Sequence, residues 1–105
     1  MTIEKFVNRS NGQTIIKDPD ATLDYTIDWT KWLDLVSDTI ASKDIVVESG
    51  ITLVASVVDS TNKKVTIWLS GGTVGTTYSI ACKITTNNSI PRIDERTFFV
   101  EIKEL

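Results

Sequence analysis

Histidine is absent from this chain of 105 residues, and cysteine, methionine and proline are rare, with one, one and two residues. Without histidine, the chain cannot build a Ser-His-Asp triad or a histidine metal site. The single cysteine, Cys82, can form neither an internal disulfide nor a thiolate metal cluster. The composition therefore excludes histidine-based catalysis, histidine metal sites and thiolate metal clusters, and we expect neither enzyme activity nor a cofactor.

Long apolar runs and an excess of positive charge are also missing. No apolar run approaches the roughly 20 residues that a membrane-spanning helix needs. The N-terminal residues carry Glu4, Lys5 and Arg9 and do not resemble a signal peptide. A formal net charge of −3 argues against a general nucleic-acid binder. We expect cytoplasmic synthesis and no membrane or nucleic-acid partner.

What the chain does contain is clearest between Val65 and Ile84, where two alternating runs flank a glycine-rich corner. Side chains in a strand alternate between its faces, so each run predicts a half-buried strand. The predicted inward side chains are Val65, Ile67, Leu69, Tyr78, Ile80, Cys82 and Ile84. Strands E and F of an immunoglobulin-like sandwich join in this way, with a tyrosine near the start of the second strand.

Further strands are predicted at Leu23–Trp29, Ile51–Val58 and Asp94–Leu105, separated by turns at short intervals. Asp38–Glu48 is predicted to form either one strand or a bulged pair of strands. Thr30 is expected to cap a short helical turn, with Trp32 and either Leu35 or Leu33 closing the core. The sequence thus predicts an all-β fold: an immunoglobulin-like β-sandwich of about seven antiparallel strands with one short helical turn.

The domain is expected to span residues 18–105, preceded by an N-terminal arm or edge strand over residues 1–17. One alternative is a first edge strand that is followed by a loop at Asp18-Pro19-Asp20. The other is an arm that adds a strand to the sheet of a neighbouring subunit.

Carboxylates are frequent in the first half of the chain, but their spacing does not predict a catalytic pair. Asp24 and Asp28 share one strand face about 13 Å apart, too far to hold one ion together. A solvated acidic face is the plain interpretation, and a weak calcium loop near Asp18 and Asp20 is the alternative.

Four residues are candidates for an interface. Trp68 has the opposite parity to Val65 and Ile67, so it should point outward, and Phe99 should do so on the other sheet. Arg92 and Arg96 belong to a charged cluster before the last strand. Each aromatic side chain is either partly covered by loops or part of a docking surface. Each arginine either forms a structural ion pair, expected for Arg96 with a loop carboxylate, or contacts a partner protein.

Several motifs together resemble a small family of tailed-phage and prophage proteins, the fibre–tail adaptors. They read Lys-Asp-Pro-Asp-Ala-Thr-Leu-Asp-Tyr-Thr-Ile-Asp-Trp from residue 17, Asp-Thr-Ile-Ala-Ser from 38, Trp-Leu-Ser-Gly-Gly-Thr from 68, Gly-Thr-Thr-Tyr from 75 and Asp-Glu-Arg-Thr-Phe from 94. The resemblance covers about residues 17–103. It implies a non-enzymatic structural protein of the virion tail with an immunoglobulin-like sandwich.

Two functions from different classes remain open at this point. The first is an adaptor that docks onto other phage tail or fibre proteins, with homo-oligomers expected in the assembled virion. The second is a carbohydrate- or host-surface-binding module, because an outward Trp68 could stack on a sugar ring as well as on a protein.

Overall fold

The computed structural model describes residues 2–3, 7–9 and 12–105. Within these residues the chain forms nine strands and one short helix. Seven of the strands are six residues or longer. In chain order the elements are β1 (Thr2–Ile3), β2 (Val7–Arg9), β3 (Gly12–Lys17), β4 (Thr22–Asp28), α1 (Thr30–Leu35), β5 (Ile40–Val47), β6 (Ile51–Val58), β7 (Lys64–Gly71), β8 (Thr77–Thr86) and β9 (Ile93–Ile102).

The strands form two sheets, with the order β1-β4-β7-β6 in sheet A and β2-β3-β9-β8-β5 in sheet B. All described pairs are antiparallel except β3 with β9, which is parallel. The predicted strand number holds for the seven longer strands, but the prediction that all of them are antiparallel is wrong. A parallel pair arises because β3 and β9 are far apart in the chain and no tight hairpin sets their relative direction.

The core lies between the two sheets and contains the side chains that the alternation predicts. Every inward position of the β7 and β8 runs is buried, including the Cys82 thiol. Tyr25, Ile27 and Trp29 fill the core from the end of β4, while Leu23 remains 39% exposed. Since the buried positions recur with period 2, the intervening positions of each strand form the two outer faces of the sandwich.

The short helix closes one end of the core, although its first turn differs from the prediction. Trp29 occupies the N-cap position and no side chain caps the helix there. Thr30 is the first helical residue, and both its backbone N–H and its hydroxyl donate to Asp28 Oδ1, at 2.8 and 2.5 Å. Leu33 is the residue that enters the core, whereas Leu35 is 85% exposed. The prediction that Thr30 is the capping residue is therefore wrong.

The strand β3 is tied to sheet A by a buried lysine. Lys17 is fully buried, and its Nζ donates to the backbone oxygens of Asp18 and Gly71, each at 2.8 Å. Burial lowers the pKa of Lys17, although Asp18 and Asp20 oppose this effect. The predicted arm of residues 1–17 falls partly on residues 1, 4–6, 10 and 11, which lie outside the described residues, and the division at residue 17 stays a prediction.

The two flanks of the sandwich differ. The N-terminal strands β1 and β2 lie at one edge of sheet A and of sheet B respectively. The opposite edges are formed by β6 in sheet A and β5 in sheet B, and within the described residues each of these pairs with one neighbour only. The edge strands of this second flank are each eight residues long, whereas β1 and β2 have only two and three residues.

Candidate docking surface

Trp68 points away from the core because the side chains on either side of it point into the core. On β7, Val65, Ile67 and Leu69 are completely buried, whereas Trp68 is 38% exposed. Its cross-strand neighbours are Asp24 on β4 and Ala55 on β6. The outward orientation predicted from parity is confirmed.

Trp68 lies within an exposed apolar area on sheet A, which we call face A and define by Val54, Ala55, Val57, Thr66 and Trp68. Val54 and Val57 are each 54% exposed, and Val57 lies directly across from Thr66. The β6–β7 register shifts between Leu53 and Ala55, so Val54 is the extra residue of a bulge. Bulges increase the local twist and redirect side chains, which here adds a valine beside the tryptophan.

Toward β4, face A becomes polar. The hydroxyls of Thr26 and Thr66 lie 3.0 Å apart in a hydrogen bond. Beyond them, Lys64 Nζ lies 3.9 Å from Asp28 Oδ2. An apolar centre with a polar border is the usual composition of a protein–protein contact surface.

The second candidate, Phe99, lies in sheet B and therefore on the opposite side of the molecule, as predicted. It is half-buried rather than exposed, with Ser79 on β8 and Thr14 on β3 as its cross-strand neighbours. We call the outer side of sheet B face B and define it by Asp44, Lys83, Glu95, Thr97 and Phe99. A row of charge crosses it, because Asp44, Lys83 and Glu95 are exposed and stand in register on adjacent strands.

Arg92 makes the ion pair that the sequence assigned to Arg96. Its Nη1 donates to Asp38 Oδ2 at 2.7 Å, and the Asp38 side chain is only 4% exposed. Burial favours a higher pKa for Asp38, but hydrogen bonds from Thr86, the Thr39 backbone and Arg92 outweigh burial and lower it. Arg92 therefore holds the loop before β9 against the segment between α1 and β5.

Arg96 contacts a residue of its own strand, with its Nε 3.6 Å from Asp94 Oδ2. The same carboxylate oxygen accepts a hydrogen bond from the Trp29 indole Nε1 at 2.8 Å. Since Trp29 is a core residue, this network joins β9 to the end of β4. The structure thus does not bring the four candidates to one place: Trp68 lies on face A, Phe99 on face B, and both arginines lie in contacts that support the fold.

The described residues provide little for bond-making chemistry. Cys82 lies in the core, and burial raises the pKa of its thiol to about 12, which keeps it protonated. Among the described residues, no group of three histidine, cysteine, aspartate or glutamate side chains is placed to hold a metal ion. Asp18, the alternative calcium ligand, accepts hydrogen bonds from the backbone N–H of Asp20 at 2.8 Å and of Leu105 at 3.0 Å. In the same part of the chain, the only helix, α1, is too short to cross a membrane.

Sequence reasoning missed the contribution of β6 to face A. It identified Ile51–Val58 as an apolar strand but did not single out Val54 or Val57 as exposed. A signal is present in the composition, because no charged residue occurs between Glu48 and Asp59. A bulge cannot be read from alternation alone, so the parity of the strand's second half was not available from the sequence.

Comparison with known proteins supplies the biological setting for this surface. A family model described as "Podophage GP4 fiber-tail adaptor protein gp77" matches residues 17–101, which is most of the chain. The match agrees with the family that the sequence motifs predict, and its N-terminal limit coincides with the first residue of the first motif. No curated protein matches the chain.

Proposed function

The chain belongs to the podophage fibre–tail adaptor family, and on that premise we propose that it holds a tail or fibre protein through face A, with Trp68 at the centre of the contact. Its role is structural and non-enzymatic, as a component of the phage tail in the virion. The observation that carries the proposal is that Trp68 is partly exposed beside two exposed valines, although its chain neighbours Ile67 and Leu69 are completely buried.

The geometry of Trp68 suits a binding anchor. Its neighbours on β4 and β6 already cover most of its surface, so little side-chain entropy is lost when a partner covers the remaining 38%. Tryptophan is also the residue type most enriched among the few interface positions that carry most of the binding energy. Val54 and Val57 provide the apolar surroundings that exclude water from such a contact.

The other three candidates take lesser roles in this proposal. Phe99 lies on face B, where only part of its ring is accessible, and we assign it no contact with this partner. Arg92 would have to give up its 2.7 Å bond to a buried carboxylate before it could bind a partner, at the cost of leaving that charge unpaired. We therefore assign Arg92 and Arg96 to positioning the loops at the helix end of the sandwich.

We further infer that the sandwich is of the immunoglobulin-like class. The orders β4-β7-β6 and β9-β8-β5 correspond to B-E-D and G-F-C of that fold. Tyr78 near the start of β8 accepts a hydrogen bond at 3.0 Å from the backbone N–H of Thr73, in the loop before it. This is the contact of a tyrosine corner, which supports the assignment.

The proposal is tested by measuring how a Trp68→Ala variant binds the tail and fibre proteins encoded beside it. We expect affinity to fall by about 30-fold or more, the loss typical of a hot-spot residue. Phe99→Ala is the matched control, because it removes an aromatic ring from the opposite face, and its affinity should stay within about threefold of the parent. Equal losses in both variants, or no loss in Trp68→Ala, would contradict the proposal.

The carbohydrate-binding alternative predicts a different result from the same variant. If Trp68 stacks on a sugar ring, a glycan array should show saturable binding by the parent and none by Trp68→Ala. On our proposal the parent shows no such binding, because the exposed side chains of Val54 and Val57 offer no hydrogen-bond partners for sugar hydroxyls. Saturable glycan binding that is lost in Trp68→Ala would contradict the proposal and would show that face A binds carbohydrate.

A further inference from the structure

The strand β6 is an open sheet edge without the features that normally prevent pairing. Edge strands are usually protected by charged side chains or proline, because their unpaired backbone groups can bind another strand. The neighbouring edge β5 carries Lys43 and Asp44, whereas all eight residues of β6 are uncharged and none is proline. The one protective feature of β6 is the bulge at Val54.

The hydrogen-bond pattern shows which backbone groups of β6 point to the open edge. Asp59 N–H donates to Lys64 O at 3.1 Å, while Lys64 N–H donates to the Asp59 carboxylate, so these two residues occupy a hydrogen-bonded pair position of the ladder. Such pairs recur at every second residue of an antiparallel ladder, which assigns the backbone groups of Val57 and Ala55 to β7. The N–H and C=O groups of Ser56 and Val58 therefore point away from β7, toward the open edge.

We propose that β6 pairs with β6 of a second copy of this chain, antiparallel and around a two-fold axis at Ser56. In this register the two Ser56 residues exchange both of their open backbone hydrogen bonds. Val57 stands opposite Ala55 of the second copy, and Ala55 opposite its Val57, so a large and a small side chain meet in each row. No like charges face each other, because β6 has no charged residue.

A second copy suits this edge better than a foreign strand for a further reason. The short ladder beyond the bulge gives few hydrogen bonds, so a single contact is weak and depends on high local concentration. If one particle holds several copies of this chain, their proximity supplies that concentration. Pairing would also join the two A sheets into one, which places both Trp68 side chains on the same continuous face. This inference rests on the proposed function only for its setting, since the edge itself does not involve Trp68.

The test introduces charge at the two-fold axis. Sedimentation velocity over a concentration series should show a monomer–dimer equilibrium for the parent chain. In Ser56→Lys and in Ser56→Asp, like charges meet directly across the axis, and dimerisation should weaken by at least about ten-fold in each. An equimolar mixture of the two variants should regain the dimer, because opposite charges then face each other.

Ser42→Lys, at an exposed position of the edge β5, is the control for added charge and should leave dimerisation unchanged. Ser56 is half-buried opposite the core residue Ile67, so far-ultraviolet circular dichroism and thermal midpoints check that its charged variants fold like the parent chain. A parent that stays monomeric at its solubility limit would overturn the proposal, as would a dimer that Ser56→Lys does not weaken. A mixture of the two charged variants that remains monomeric would overturn the two-fold register. A monomeric parent whose binding to a tail protein is lost in Ser56→Lys would instead assign the edge to a foreign strand. Trp68→Ala should dimerise like the parent, so failure of the docking proposal is read separately.

Discussion

Faces A and B are built on the same core, yet they differ in what they offer a partner. Face A presents Trp68 with two half-exposed valines, and its charged residues lie at the β4 side. Face B presents a row of alternating charge across three strands next to Val46, which is 61% exposed, and Phe99 is half-buried there. From the sequence, both aromatic residues were candidates for a docking surface, with Trp68 the stronger one. The structure separates them by exposure, because Trp68 is 38% exposed beside Val54 and Val57, whereas Phe99 is half-buried.

An outward aromatic residue is therefore a weak indication of a binding site until its cross-strand neighbours are known. Strand pairing decides whether the ring stands among apolar side chains or among charges, and pairing joins residues that are distant in the chain. For Trp68, the neighbours that matter lie on β6, where a bulge adds Val54 to the exposed surface. The open edge of β6 adjoins face A, so both proposed contacts lie on the side of the molecule that β6 and β7 form.

The largest effect is expected from a change in the core that both faces share. Ile67 is completely buried next to Trp68, and Ile67→Ala should lower the free energy of unfolding by about 2–5 kcal/mol. Trp68→Ala, which changes the adjacent outward residue, should lower the free energy of unfolding by less than half as much. Chemical denaturation of both variants measures the two values. A stability loss in Trp68→Ala equal to that in Ile67→Ala would show that Trp68 belongs to the core and not to a docking face.

A smaller effect is expected at the corner that leads from sheet A into sheet B. Gly72 has φ +101°, and a Cβ there would lie 2.6 Å from Ile102 Cδ1, whereas at Gly71, with φ +76°, a Cβ would meet nothing within 4 Å. Gly71→Ala should therefore cost about 1 kcal/mol, from backbone strain alone. Gly72→Ala should cost about 3 kcal/mol, since a clash is added. Equal thermal midpoints for the two variants would show that an added Cβ at residue 72 does not clash with Ile102.

The smallest effect concerns acid stability at the turn that joins β6 and β7, the strands of face A. Burial works to raise the pKa of Asp59, but hydrogen bonds from Thr61 and from the backbone N–H groups of Lys63 and Lys64 lower it from 3.8 to about 2. Because the folded-state pKa is depressed, its contribution to stability is present above pH 3.8 and is lost as the pH falls toward 2.

Asp59→Asn should accordingly lower stability at neutral pH and make the loss of stability between pH 3.8 and 2 shallower. Thermal midpoints measured across this range provide the test, with Asp44→Asn on face B as the control for removing an exposed carboxylate. If the thermal midpoint of Asp59→Asn falls with pH as steeply as that of the parent chain, other carboxylates determine the acid sensitivity.

Sequence alone predicted the parts of the fold that depend on local pattern. Period-2 alternation identified the inward sides of β7 and β8, and Ile51–Val58 agrees with β6 residue for residue. The outward direction of Trp68 followed from the same parity. The Asp59 turn was predicted from turn-forming residues, and its side chain does accept the backbone hydrogen bonds of Lys63 and Lys64.

What could not be predicted depends on contacts between distant parts of the chain. Lys17 can be buried because two backbone oxygens, one of them 54 residues away, accept hydrogen bonds from its Nζ, and a lysine in a sequence gives no sign of that. The parallel pairing of β3 with β9 is likewise a long-range choice. The sequence favoured Arg96 for an ion pair with a loop carboxylate, and only the position of Asp38 shows that Arg92 makes it.

The central claim, that face A and not face B holds the partner, is tested most directly by hydrogen–deuterium exchange of the protein alone and bound to its tail partner. We predict slower exchange on binding in β6 and β7, with β8 and β9 unchanged. Exchange reports backbone protection strand by strand, so the two sheets are read independently. Protection confined to β8 and β9, with β6 and β7 unchanged, would contradict the account.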